Sequence, residues 1–146
     1  MKKNKAFTLI ELLVVIAVLA GFLALLVPNY MEVRKKSRDV RRKSDIRSIQ
    51  KALELYKQSQ AQPLYPAALT SCAALTFGGV DFMKVVPKDP LGSCSAAGNS
   101  YFYLPSSDFY TYTLSACLEN TNDTDATTCP AAYAACTTKC YSLTEP

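Results

Sequence analysis

Residues 7–27 read FTLIELLVVIAVLAGFLALLV, 21 positions of which only Thr8 and Glu11 are neither apolar nor Gly. As an α-helix rising about 1.5 Å per residue, this run spans roughly 31 Å, the thickness of a bilayer's hydrocarbon core. The chain has 146 residues, room for one domain and an appendage. Any soluble core must therefore come from residues 28–146, and a domain of that size is only modestly stable on burial alone.

The charge is uneven along the chain. Residues 1–60 hold 13 Lys/Arg against 5 Asp/Glu, and residues 61–146 hold 3 against 7. Lys2, Lys3 and Lys5 precede the apolar run, and short basic flanks of that kind stay cytoplasmic. Arg34, Lys35, Lys36, Arg38, Arg41, Arg42 and Lys43 follow it and pull the other way. The cysteines decide the orientation. All six, Cys72, Cys94, Cys117, Cys129, Cys136 and Cys140, lie beyond the run. An even set in a small domain behind such a segment is read as disulfides formed on the oxidising side. The N-terminus is then inside and the C-terminal domain extracytoplasmic. Zinc is the weaker reading, because the chain has no His and no C-x2-C pair. Cys72 and Cys94 flank one Gly/Pro-rich loop and are the pair expected to join.

Four stretches follow: a leader at 1–6, a membrane-spanning helix at 7–27, a neck and amphipathic helix at 28–60, and a disulfide-containing globular domain at 61–146. Pro28 removes a backbone donor and is expected to kink or loosen the helix. Ile46, Ile49, Leu53 and Tyr56 recur at helical spacing as one apolar stripe. From Arg34 to Asp45 only Val40 is apolar, so that stretch reads as a solvated neck. Pro63 and Pro66 should make the helix fade between Gln58 and Gln62. Residues 66–75 have the Ala content of a short helix, and 77–94 have the Gly and Pro of a structured loop. SYFYLP (100–105) and FYTYTLSACL (109–118) read as a hairpin, residues 119–130 as a polar loop, and 140–143 as an edge strand. The fold class is α+β, with one long N-terminal helix packed on a small antiparallel sheet.

Glu11 is the anomaly in the apolar run. A carboxylate in hydrocarbon costs several kcal/mol unless it finds a partner or takes a proton. It lies one helical turn from Phe7. Cleavage before Phe7 would create an α-amine that could pair with it, within one chain or between neighbouring copies. The alternative is a Glu11 close enough to the interface to reach water.

The stretch KAFTLIELLVVIAVLAG resembles the class III signal of type IV pilins and of the pseudopilins of type II secretion systems. That resemblance implies removal of the leader by a prepilin peptidase between Ala6 and Phe7, N-methylation of Phe7, and a role for Glu11 in drawing in the amine of an adjacent subunit. Ala6 departs from the Gly usual before the cut, which bears on cleavage efficiency. Pro28 also falls where many members carry a helix-loosening Pro. Further along, VPNYM, ALELYK, PLYP, YTYTLSA and VPKDPLGS look like the major, G-type pseudopilin, with Leu91 where Trp is usual. The six cysteines are closer to the disulfide-closed loops of type IV pilins. The implied protein is a pilin-like filament subunit. Its partners would be its own copies, the prepilin peptidase, an inner-membrane assembly platform with its ATPase, and membrane lipid before assembly. Protein secretion and pilus adhesion, motility or DNA uptake stand as alternatives within the family.

Two readings of other classes stay open: a monomeric membrane-anchored binding module, and a secreted domain cut near residues 20–24, against which Glu11 and the lack of an A-x-A site argue. No enzyme reading survives. Without His there is no Ser-His or Cys-His pair, and no Gly-rich phosphate loop is present. No cofactor is expected, save one. The resemblance implies calcium in a loop after the sheet, and Asp123 and Asp125 in ENTNDTD offer hard oxygens at alternate positions. An ordinary Asx-turn loop is the plainer reading. The basic neck carries no base-reading motif or stacking platform beside it, so DNA is a disfavoured partner.

Overall fold

The computed structural model describes residues 7–94 and 101–145, and at 26–29 the backbone alone. The leader with Ala6 lies outside the described residues. The chain forms two compact units, Met1–Lys35 and Lys36–Pro146. One helix, α1 (Leu9–Gln58), contributes to both and stays helical through position 28.

In the first unit, the described side chains from Phe7 to Leu25 are all exposed. The helix is long and apolar enough there to cross a membrane by length and composition. The Arg34 guanidinium lies 4.5 Å over the Tyr30 ring.

The second unit builds its own core. Five strands are described: β1 (Leu75–Phe77), β2 (Val80–Met83), β3 (Phe102–Pro105), β4 (Tyr112–Leu118) and β5 (Lys139–Thr144). β1 and β2 form a hairpin, and β3-β4-β5 form an antiparallel sheet with β5 at an edge. On α1, Ile46, Ile49 and Leu53 are fully buried in one cluster with Tyr112, Leu114, Ala116 and Leu118 of β4. The period-2 alternation of β4 thus meets the 3–4 spacing of α1, each element burying the face its sequence made apolar. On the other face of β4, Ser115 pairs its hydroxyl with Ser142 of β5 at 2.8 Å, and Cys117 lies opposite Cys140. α1 ends at Gln58, where Ser59 Oγ donates to the Tyr56 carbonyl at 2.7 Å.

Two expectations fail locally. Residues 66–75 form no helix. Cys72 N–H donates to the Val86 carbonyl and Val86 N–H to that of Ala73, both at 2.8 Å, so cross-chain bonds take the groups a helix would need. Residues 77–94 are not all loop. Gly78 and Gly79 have φ of +60° and +81° and form the two-residue turn between the paired Phe77 and Val80. Tight hairpin turns need positive φ at both central positions, which Gly alone adopts at no steric cost.

Candidate functional site

At its N-terminus, α1 is closed by a reciprocal pair. Thr8 precedes the first helical residue, and its Oγ1 accepts the N–H of Glu11 at 3.3 Å. Glu11 Oε2 in return accepts Thr8 N–H at 3.4 Å and the Thr8 hydroxyl at 3.3 Å. This is a capping box, in which N-cap and third-position side chains each satisfy a backbone donor left over at the helix start. The T-x-x-E spacing before an apolar run was the available sequence signal for Thr8. Glu11 therefore has a local partner and remains exposed, with Phe7 exposed beside it. The hydrogen bonds from Thr8 are both taken by Oε2 of Glu11.

The second charged site lies within Lys36–Pro146. The neck was expected to be solvated, yet Asp39 and Arg42 are buried while Val40, its one apolar residue, is 67% exposed. Helical spacing explains the reversal. Positions 39, 42, 46, 49 and 53 lie on one face, so the buried stripe runs two positions past its last apolar member. Arg42 Nε donates to Asp89 Oδ2 at 2.6 Å and Nη2 to Asp89 Oδ1 at 3.0 Å. Its Nη1 donates to Asp39 Oδ1 and to Glu119 Oε1, both at 2.7 Å. Arg38 holds Glu119 through Nε at 2.7 Å and Nη2 at 2.5 Å. Asp39 also accepts the backbone N–H of Glu119 and Asn120. The planar fork of arginine matches two carboxylates at once, which a lysine would not.

These contacts set the ionisation. Burial works against the charge on Arg42, but hydrogen bonds to Asp89, Glu119 and Asp39 outweigh it and raise its pKa. The Arg38 guanidinium, followed by that of Arg42, lowers the Glu119 carboxyl to about 2. The network ties α1 to the turn after β2 and to the loop after β4. Composition did not distinguish Arg38 and Arg42 from the other basic residues of the neck; only helical spacing sets Arg42 on the buried stripe.

The sulfurs pair as Cys72–Cys94, Cys117–Cys136 and Cys129–Cys140. The first joins the two cysteines flanking the Gly/Pro-rich segment. The sulfurs of Cys129, Cys136 and Cys140 lie within 4.8 Å of one another. All are in disulfides, so none offers the thiolate that a metal requires. The proposed calcium ligands, Asp123 and Asp125, are both turned onto Lys43. Its Nζ lies 2.5 Å from Asp123 Oδ1 and 2.8 Å from Asp125 Oδ2. One oxygen of each aspartate thus already has a cation partner from this chain itself.

A helix that is apolar and exposed at its start, a carboxylate in its first turn, and a self-contained α+β unit define a pilin-like protein; among the described residues one helix is long and apolar enough to cross a membrane. Residues 1–27 match the family model for the prokaryotic N-terminal methylation motif. The chain is 30% identical over 120 residues to the type II secretion system core protein G of Vibrio cholerae, covering 74% of this chain and 75% of that one. It is 32% identical over 101 residues to the type IV wide pilus major component of Thermus thermophilus, covering 68% and 77%. The core protein G of Pseudomonas aeruginosa is 30% identical over 114 residues, covering 70% and 75%. No solved structure gives a significant match. The chain belongs to the type IV pilin and type II secretion pseudopilin family, and it resembles the G-type pseudopilins.

Proposed function

We propose that this protein is the structural subunit of a type IV pilus-like filament, of the kind that serves type II secretion. Its leader is cut between Ala6 and Phe7 by a membrane-embedded peptidase, and Phe7 is N-methylated. The run at 7–27 anchors the subunit in the cytoplasmic membrane, N-terminus inside, and then leaves lipid to pack against the same run of other copies. Glu11 draws in the amine of a neighbouring Phe7 and sets the register. An assembly platform and its ATPase supply the work.

One observation carries this reading. The apolar helix from Phe7 to Leu25 is exposed over all its described side chains, while the second unit completes its core without it. The run therefore needs an apolar partner outside its own chain, first lipid and then other subunits. The disulfides support an extracytoplasmic setting for the second unit, on the oxidising side of the membrane where cross-links persist. The test is mass spectrometry of the N-terminus from the native membrane fraction. A peptide beginning at N-methyl-Phe7 is expected. An intact Met1 would leave a plain membrane anchor, and a start beyond Ala20 a secreted domain; either overturns the proposal.

A further inference from the structure

The loop after β4 carries Glu119, Asp123 and Asp125, and three cations of α1 hold it. Arg38 and Arg42 take Glu119. Lys43 takes both aspartates, with its side chain only 14% exposed. Asp123 Oδ1 accepts a second hydrogen bond, from the Asp125 backbone N–H at 2.9 Å, so the loop wraps its own carboxylate around the ammonium. Asn120 Oδ1 closes the preceding turn by accepting the Asn122 N–H at 3.2 Å.

An ammonium and a calcium ion compete for the same carboxylates. Calcium needs six to eight oxygens at about 2.3–2.6 Å. Here the ammonium already pairs with both aspartates, and a divalent ion beside it would face a like charge across a few ångströms. Burial disfavours the Lys43 charge, but hydrogen bonds to Asp123 and Asp125 outweigh it and raise its pKa. Lys43 in turn lowers that of Asp123.

We propose that Lys43 is the resident cation of this loop. Its ammonium occupies the seat between Asp123 and Asp125, so residues 119–127 are fastened to α1 without any divalent ion. A tethered cation is always present at high effective concentration and is not lost to chelators or dilution. The attachment is therefore constitutive. This inference does not rest on the filament reading, since it concerns only the unit Lys36–Pro146.

The test is amide hydrogen exchange of residues 119–127 in the full chain in detergent, with EGTA or with millimolar CaCl2. Wild-type exchange is expected to be the same in both. Lys43→Met, which keeps the aliphatic stem, should speed loop exchange about fivefold or more in EGTA. Calcium should then slow it again, and adding Asp123→Asn and Asp125→Asn should abolish that response. Three results would overturn the proposal: calcium slowing exchange in the wild type, Lys43→Met exchanging like wild type, or Lys43→Met ignoring calcium. If Lys43→Met does not fold, the wild-type comparison still decides, because a calcium response there sinks the idea.

Discussion

Arg42 and Asp89 are 47 residues apart in sequence and meet in a two-point ion pair of 2.6 Å and 3.0 Å, both side chains largely buried. Asp39 and Glu119 share the same guanidinium. Replacing Arg42 by Ala leaves buried carboxylates with no counter-ion, and such breaks cost about 3–5 kcal/mol. Arg42→Lys keeps the charge but not the fork and should recover only part of that. Arg41, exposed one position away, is the control and should change stability by less than about 0.5 kcal/mol. Urea unfolding of the full chain in detergent, followed by the tyrosine signal, measures all three.

Acid should loosen the same network at a predictable place. The Glu119 carboxyl is lowered from its ordinary 4.5 to about 2 when folded, chiefly by Arg38. A depressed carboxylate adds stability that is fully present above the unfolded value and is lost as pH falls through the folded one. Stability should therefore decline between about pH 4.5 and pH 2. Glu119→Gln should flatten this decline while lowering stability at pH 7. Glu119 is partly solvated, so the effect will be smaller than its shift alone implies. Melting temperatures across that pH range for the two proteins give the comparison.

The core stripe was legible because its signal is local. Ile46, Ile49 and Leu53 announce a buried face by spacing alone, and β4 announces its own by alternation. Leu53→Ala should cost about 2–5 kcal/mol through the cavity it leaves. Leu55→Ala, at a position 54% exposed, should cost far less. Chemical denaturation of both variants checks the assignment of faces.

What stayed hidden depended on partners far along the chain. Asp39 and Arg42 sit on the same stripe, yet a count of apolar residues stops at Ile46. Only the path of the loops bearing Asp89 and Glu119 turns those charges inward. The Gly78-Gly79 hairpin was readable in principle, but the surrounding Gly and Pro content outweighed a three-residue strand. Thr8 was passed over because the cost of a carboxylate in hydrocarbon drew the reading to Glu11 alone.

The Cys72–Cys94 bridge closes a loop, 22 residues apart at its ends, that contains the β1-β2 hairpin and Asp89. A closed loop of that length is worth about 3 kcal/mol in chain entropy. Cys72→Ser with Cys94→Ser should lower stability by that order. It should also weaken the hold of Asp89 on Arg42, since the turn is freer to withdraw. A double-mutant cycle with Asp89→Asn reads this as a coupling of at least 0.5 kcal/mol, roughly the threshold for sites that act on one another. Additive losses would mean that the bridge and the ion pair hold the turn separately.

Glu11 has two jobs that substitution can separate. Its Oε2 closes the capping box with Thr8, while its charge is available to a neighbour's amine. Thr8→Ala removes the cap, at a cost of about 1 kcal/mol, and keeps the charge. Glu11→Gln keeps an acceptor at the third helical position, where Gln also serves in capping boxes, and removes the charge. If inter-subunit pairing governs assembly, Thr8→Ala should still yield filaments and Glu11→Gln should yield none. Both variants should be inserted in the membrane at wild-type levels. Sheared filament fractions, with N-terminal mass spectrometry to separate failed processing from failed assembly, distinguish the cases. Filaments from Glu11→Gln at wild-type yield would reduce this carboxylate to a helix cap.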